Sequence, residues 1–248
     1  MKAQGYINEN NFVKMFNNIV FKYLPFNAQL FIENVYPNIR KNDKIISFLG
    51  NGKEKTDIII KINNTTFRIS IKMGHKNSVH VENVYDFTKK LRLLNISQYS
   101  KENFLKYHFG DGTKNGKSLI RENSKNLVKI YRKELSTLNI ELENLKVKKY
   151  LIKNTIIGNP EIDYLIYGTP IDFIWISKNE IIELMINAKF NNTKLTPHIS
   201  MLTLQPMNRC INLNPKYNRF RYYVQFKWYN IYDDILEYKF NNNQNILF

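Results

Sequence analysis

Residues 56–72 restrict the chain more than any other segment, because they admit little besides a β-hairpin. Thr56-Asp-Ile-Ile-Ile-Lys-Ile62 and Thr65-Thr-Phe-Arg-Ile-Ser-Ile-Lys72 are runs of β-branched and aromatic residues on either side of Asn63-Asn64. Asparagine pairs favour turns between such runs. A two-residue turn there sets Asp57 opposite Ser70. Lys72 is two positions further along the same strand, and side chains two apart share a face. The other face carries Ile58, Ile60 and Ile62 against Phe67, Ile69 and Ile71, an apolar surface that has to be covered. A carboxylate, a hydroxyl and a lysine are thereby predicted side by side at the rim of a sheet, over an isoleucine floor.

Helical and strand periodicities surround this hairpin. Phe12, Met15, Phe16, Ile19, Val20 and Tyr23 recur at helical spacing up to Pro25, which predicts one or two opening helices within residues 9–32. Lys44-Ile-Ile-Ser-Phe-Leu49 reads as a strand ended by Gly50-Asn-Gly52. After a loop, Val84, Phe87, Leu91 and Leu94 lie on one helical face, so a helix is expected over residues 82–94 with Glu82 in its first turn. Residues 117–150 read as one or two helices. Residues 162–167, 173–176 and 181–186 read as strands, with further strands at 199–204 and 220–228. The expected architecture is mixed α/β, a single domain over residues 1–248. Residues 10–95 form its core, and residues 160–190 complete its central sheet.

The bulk numbers bound the function. A chain of 248 residues with 43% hydrophobic and 14% aromatic residues can bury a sizeable core. No run approaches the ~20 apolar residues of a membrane helix, and the first residues hold no apolar signal core. One cysteine and 4 histidines exclude a disulfide framework and make a zinc site a poor fit. A cytoplasmic protein without a membrane segment is expected. The net charge is +16. Abundant Asn, Lys and Ile, as an AT-rich genome would encode, account for part of it. They do not account for the segment from Leu184 to Tyr232, which contains no acid but carries Lys189, Lys194, Arg209, Lys216, Arg219, Arg221 and Lys227. Arginines, amides and aromatics mix there, and phosphate attraction favours such a surface. Arg209, Arg219 and Arg221 are therefore candidate contacts to DNA, with Gln225 and Lys227 sharing the polar face of the strand Tyr222–Trp228. Pairing of these arginines with internal acids is the structural alternative.

Asp57 and the Ser70-Ile71-Lys72 triplet can together bind a divalent cation and orient a water against a phosphodiester. This pattern resembles the PD-(D/E)XK nuclease superfamily, which includes most type II restriction endonucleases. An aspartate begins one hairpin strand there and an x-x-Lys triplet ends the next. Thr56 stands where a proline is common, and Ser70 where a second acid is expected. The resemblance implies a restriction-endonuclease-like core of a mixed β-sheet flanked by helices, Mg²⁺-dependent cleavage of double-stranded DNA, and a homodimer. It also implies that Asp57 binds Mg²⁺ and that Lys72 orients or activates the attacking water. Some members with Ser-x-Lys take the missing carboxylate from the following helix, which points to Glu82 here, with Glu33 ranked below it. His75 and His80 could touch phosphate or water. Other functions remain open at this point: a repair or junction nuclease, or a nucleic-acid-binding protein without activity. The segment Gly110–Ser118 ends Gly-Lys-Ser but has five residues, not four, between Gly110 and Gly116, and no apolar strand leads into it. A nucleotide-binding P-loop is excluded.

Overall fold

The structure is a computed structural model, and it describes residues 4–52, 54–74, 77–118, 121–191, 193–207 and 218–242. In chain order the elements are α1 (Gln4–Phe16), β1 (Ile19–Val20), α2 (Phe26–Val35), β2 (Lys44–Leu49), β3 (Ile58–Ile62), β4 (Thr65–Lys72), β5 (Asn77–Asn83), α3 (Val84–Leu93), α4 (Gln98–Phe109), α5 (Ser124–Ile130), α6 (Arg132–Leu142), α7 (Leu145–Ile152), β6 (Tyr164–Thr169), β7 (Asp172–Ser177), α8 (Lys178–Asn187), β8 (His198–Ile199), β9 (Leu202–Pro206), β10 (Tyr223–Trp228) and α9 (Ile231–Asn241). This is an α+β fold. Its contacts divide the chain into two compact units, one of residues 1–77, 156–184 and 230–248, the other of residues 78–155 and 185–229.

The first unit is built on a six-stranded mixed sheet in the order β1-β2-β3-β4-β6-β7. The hairpin register is the one its turn dictates: Ile58 faces Ile69, Ile60 faces Phe67 and Ile62 faces Thr65. Asn63 adopts φ 51°, a left-handed conformation that asparagine tolerates better than most side chains. Strand β6 then adds to β4 in parallel and β7 to β6, so of the expected residues 160–190 it is 164–169 and 172–177 that join the sheet. Ile45, Ile58, Ile60, Ile62, Ile69 and Ile71 are all buried, and Phe12 and Phe16 of α1 with Phe31 and Ile32 of α2 join them in one core. Phe31 lies at the centre of an aromatic cluster, with ring centroids 5.9 Å from Phe16 and Tyr164, 6.0 Å from Phe173 and 5.5 Å from Trp175.

The second unit carries a four-stranded sheet in the order β5-β10-β9-β8. Phe226 of β10 packs edge-on against Phe87 of α3, and Phe87 against Phe104 of α4.

Several expected elements differ. The segment expected as one or two helices over 117–150 holds three, α5, α6 and α7, and the strand expected over 199–204 is divided between β8 and β9. Residues 181–186 form part of helix α8, not a strand. Ser177 and Glu180 make a reciprocal cap: the Glu180 N–H donates to Ser177 Oγ at 3.3 Å and the Ser177 N–H to Glu180 Oε2 at 2.7 Å. Ile181 and Met185, four apart, are both buried. Glu82 does not open a helix. It lies in β5, and Asn83 caps α3 by accepting the Tyr85 N–H at 2.9 Å.

Phe31→Ala should remove about 3–5 kcal/mol of unfolding free energy, measured by urea denaturation. A loss below 1 kcal/mol would show that this aromatic cluster does not hold the first unit together.

Candidate active site

Asp57 sits just before β3, where the sheet ladder continues through its backbone. Its N–H donates to Ile69 O at 2.9 Å, and its carbonyl accepts from the Gly50 N–H at 2.9 Å. Gly50 makes this approach possible, since a Cβ there would lie 2.1 Å from the carbonyl oxygen of Thr56. Asp57 Oδ2 then accepts three hydrogen bonds: from Ser70 Oγ at 3.0 Å, from Lys72 Nζ at 3.0 Å and from the Ile71 N–H. Lys72 Nζ also donates to Ser70 Oγ at 2.9 Å and to Ile71 O at 2.8 Å. The lysine thus has three acceptors for its three donor positions. The Lys72 and Asp57 side chains are 19% and 22% exposed, while Ser70 is buried. The three predicted residues do meet, sheltered from water but reachable.

Two further residues of the first unit reach this centre. Tyr167 pairs with Lys72 across β4 and β6, and its hydroxyl donates to Gly74 O. Glu9 of α1 is near enough to feel the charges of Asp57 and Lys72. Its carboxyl is raised above the ordinary glutamate range, first by burial and then by the charge of Asp57, with Lys72 opposing. Sequence reasoning passed over Glu9. Its neighbour Asn8 belongs with Phe12 and Phe16 to the buried stripe of α1. Asn8 fixes that helix by donating to Gly168 O at 2.8 Å.

The other expected acids are placed differently. Glu82 forms ion pairs with Lys90 Nζ at 2.6 Å and His80 Nε2 at 3.2 Å. Burial would raise its carboxyl, but hydrogen bonds from His80 and Lys90 hold it below the ordinary value. Glu33 is exposed on α2. Among the described residues no group of three or more His, Cys, Asp or Glu side chains is placed to hold a metal.

The candidate DNA contacts also divide. Arg219 is exposed, 4.8 Å above the Phe220 ring. Gln225 and Lys227 are half-buried on one face of β10, opposite Gln205 and Thr203. Arg209 and His75 lie outside the described residues. Arg221 is a correction: it is buried and donates to Asp111 Oδ2 at 3.2 Å and Ser118 O at 3.3 Å, the internal pairing a buried guanidinium needs. Asp111 also accepts from Thr113 N and Oγ1 and from Ser118 N. The glycine-rich loop therefore folds around its own carboxylate. His108 Nε2 lies 2.8 Å from Arg221 O, and burial lowers the pKa of this histidine to about 4.

No protein-family model matches the chain, and no curated protein matches its sequence. Among the described residues no helix is long and apolar enough to cross a membrane.

Two titrations check these placements. Carboxyl NMR should find Glu9 above the ordinary glutamate range, and Asp57→Asn should move it down. A Glu9 titration indifferent to Asp57 would remove it from the site. For His108 the folded pKa lies below the unfolded one, so its stabilisation is complete above pH 6.5 and lost as pH falls toward 4. This loss amounts to about 3 kcal/mol. Urea midpoints at pH 7 and 4.5 should diverge less in His108→Gln than in the wild type; equal divergence would place the acid sensitivity elsewhere.

Proposed function

We propose that the chain is a Mg²⁺-dependent endonuclease acting on double-stranded DNA, of the restriction type that the hairpin motif resembles. The observation that carries this reading is the single oxygen of Asp57 shared by Ser70, the Ile71 N–H and Lys72. It fixes carboxylate and ammonium within hydrogen-bonding distance and leaves Oδ1 free of any hydrogen bond to a described residue. Mg²⁺ needs only one or two protein carboxylates, the rest of its shell being water and phosphate oxygens. Asp57 and Glu9 fit that demand: Asp57 raises Glu9 as a like charge does, and a divalent cation would relieve the strain between them. These two residues would hold the metal, which would supply a water of lowered pKa and polarise the phosphate.

The chain's own groups do the positioning. Lys72 places a fixed positive charge beside the carboxylate, where it would balance charge building on the phosphate oxygens. Ser70 donates to Asp57 and accepts from Lys72, so it fixes both without ligating. A homodimer, expected from the same resemblance, would present one centre to each DNA strand, and the cytoplasm would be its compartment. The serine in place of an acid supports a second reading, a DNA-binding protein without activity.

Incubation with Mg²⁺ and phage DNA should give discrete fragments, abolished by a chelator. Asp57→Asn and Lys72→Met should each lower the rate by about 10²–10⁴-fold and still melt as cooperatively as the wild type. Glu9→Gln should lose more activity than Glu82→Gln; the reverse order would return the second carboxylate to Glu82. Undiminished cleavage by Asp57→Asn would sink the assignment. Intact DNA with a gel shift would establish the binder instead.

A further inference from the structure

Helices α3 and α4 of the second unit form a hairpin whose inner faces are core, with Val84, Phe87 and Leu91 on one and Phe104 on the other buried. Their outer faces enclose a groove of about 290 Å³. Tyr85, Lys89 and Arg92 line it from α3, and Lys101, Glu102 and Leu105 from α4. Two of the charges are neutralised locally. Lys89 pairs with Asp86 at 2.9 Å, and Glu102 with Lys114 at 3.2 Å. Arg92 and Lys101 have no ion-pair partner among the described residues.

Lys101 is the unusual member. It is only 8% exposed, yet its ammonium makes no hydrogen bond or ion pair with another described residue. Among the described residues the other buried lysines have compensating partners: Lys148 pairs with Glu143 at 2.6 Å, and Lys239 lies over the Trp175 ring at 5.4 Å. The stem of Lys101 is buried, but its ammonium is not among the buried unpartnered polar atoms, so the side chain extends through apolar surroundings and presents its charge at the groove. A ligand anion would pair with it there.

We propose that the groove between α3 and α4 binds a phosphate ester, its phosphate held between the Lys101 ammonium and the Arg92 guanidinium. A point charge and a planar fork together suit a tetrahedral dianion. The groove approaches the size of small-ligand sites and exceeds what a bare anion fills. Leu105 and the Tyr85 ring give its organic part an apolar wall, and the Tyr85 hydroxyl a donor. The phosphate could belong to a mononucleotide or to a polynucleotide backbone. The inference uses no residue of the Asp57 centre and stands whether or not that centre cleaves DNA.

Thermal melting of the full chain tests it, with inorganic phosphate, a deoxynucleoside 5′-monophosphate and a short DNA duplex as probes. Potassium chloride at matched ionic strength is the control. Phosphate or the mononucleotide should raise the wild-type melting temperature above the chloride control. Lys101→Met should melt at or above wild type without ligand and lose that response. Arg92→Gln, at an exposed position, should bind at least tenfold more weakly while folding normally. A response to the duplex alone, lost in both variants, would assign the phosphate to a polynucleotide. No response to any probe, or an equal response in wild type and Arg92→Gln, would overturn the proposal.

Discussion

The pairing register of β3 and β4 is the constraint on which the first unit depends. A strand shifted by one residue turns every side chain to the opposite face. A slip here would expose Ile58, Ile60, Ile69 and Ile71, all of them buried, and would carry Asp57 away from Ser70 and Lys72. Core and candidate site are therefore specified by one register. The hydrophobic face supplies the energy that holds it, at about 25 cal/mol per Å² buried, and the polar face inherits its geometry. Asn63 at φ 51° fixes the turn, and Gly50 lets the end of β2 reach the residues leading into Asp57.

This coupling explains why the hairpin was legible in the sequence and other parts were not. Alternating isoleucines around a polar turn have one low-energy pairing, and the observed register follows from it. The same reasoning failed at residues 181–186, whose apolar run suits either a strand or a buried helix. The Ser177–Glu180 cap decides between them, and that signal was present in the sequence. Glu82 failed for a related reason. The hydrophobic periodicity of α3 is real, but Asn83 stops the strand and caps the helix that begins at Val84, so the acid falls two residues outside it. Glu9 could not be found from spacing along the chain. Its nearness to Asp57 arises when α1 packs on β2 and β3, a long-range event that local pattern does not encode.

Arg221 shows how a charge run misleads. Composition places it in an acid-free segment, which reads as a surface for phosphate. Its partner, Asp111, is 110 residues away in sequence, and the pair is buried. Net charge over a window describes a surface only if the window stays on the surface. Here one arginine is structural, and Arg219, two residues earlier, is exposed.

Polar groups at least partly withdrawn from solvent therefore fall into two kinds. Asp111, Arg221 and His108 contact one another or neighbouring backbone, which offsets part of their cost of burial, although His108 Nδ1 and Arg221 Nε have no hydrogen-bond partner among the described residues. Glu9 and Lys101 are not offset in this way. Glu9 bears a like charge nearby, and Lys101 has no counter-charge among the described residues. Glu9 is half-buried, and its raised carboxyl reflects that partial burial together with the charge of Asp57. Lys101 buries its stem and presents an ammonium without a partner among the described residues. A carboxyl beside a like charge and an unpaired ammonium are the arrangements in which a bound counter-ion would gain most.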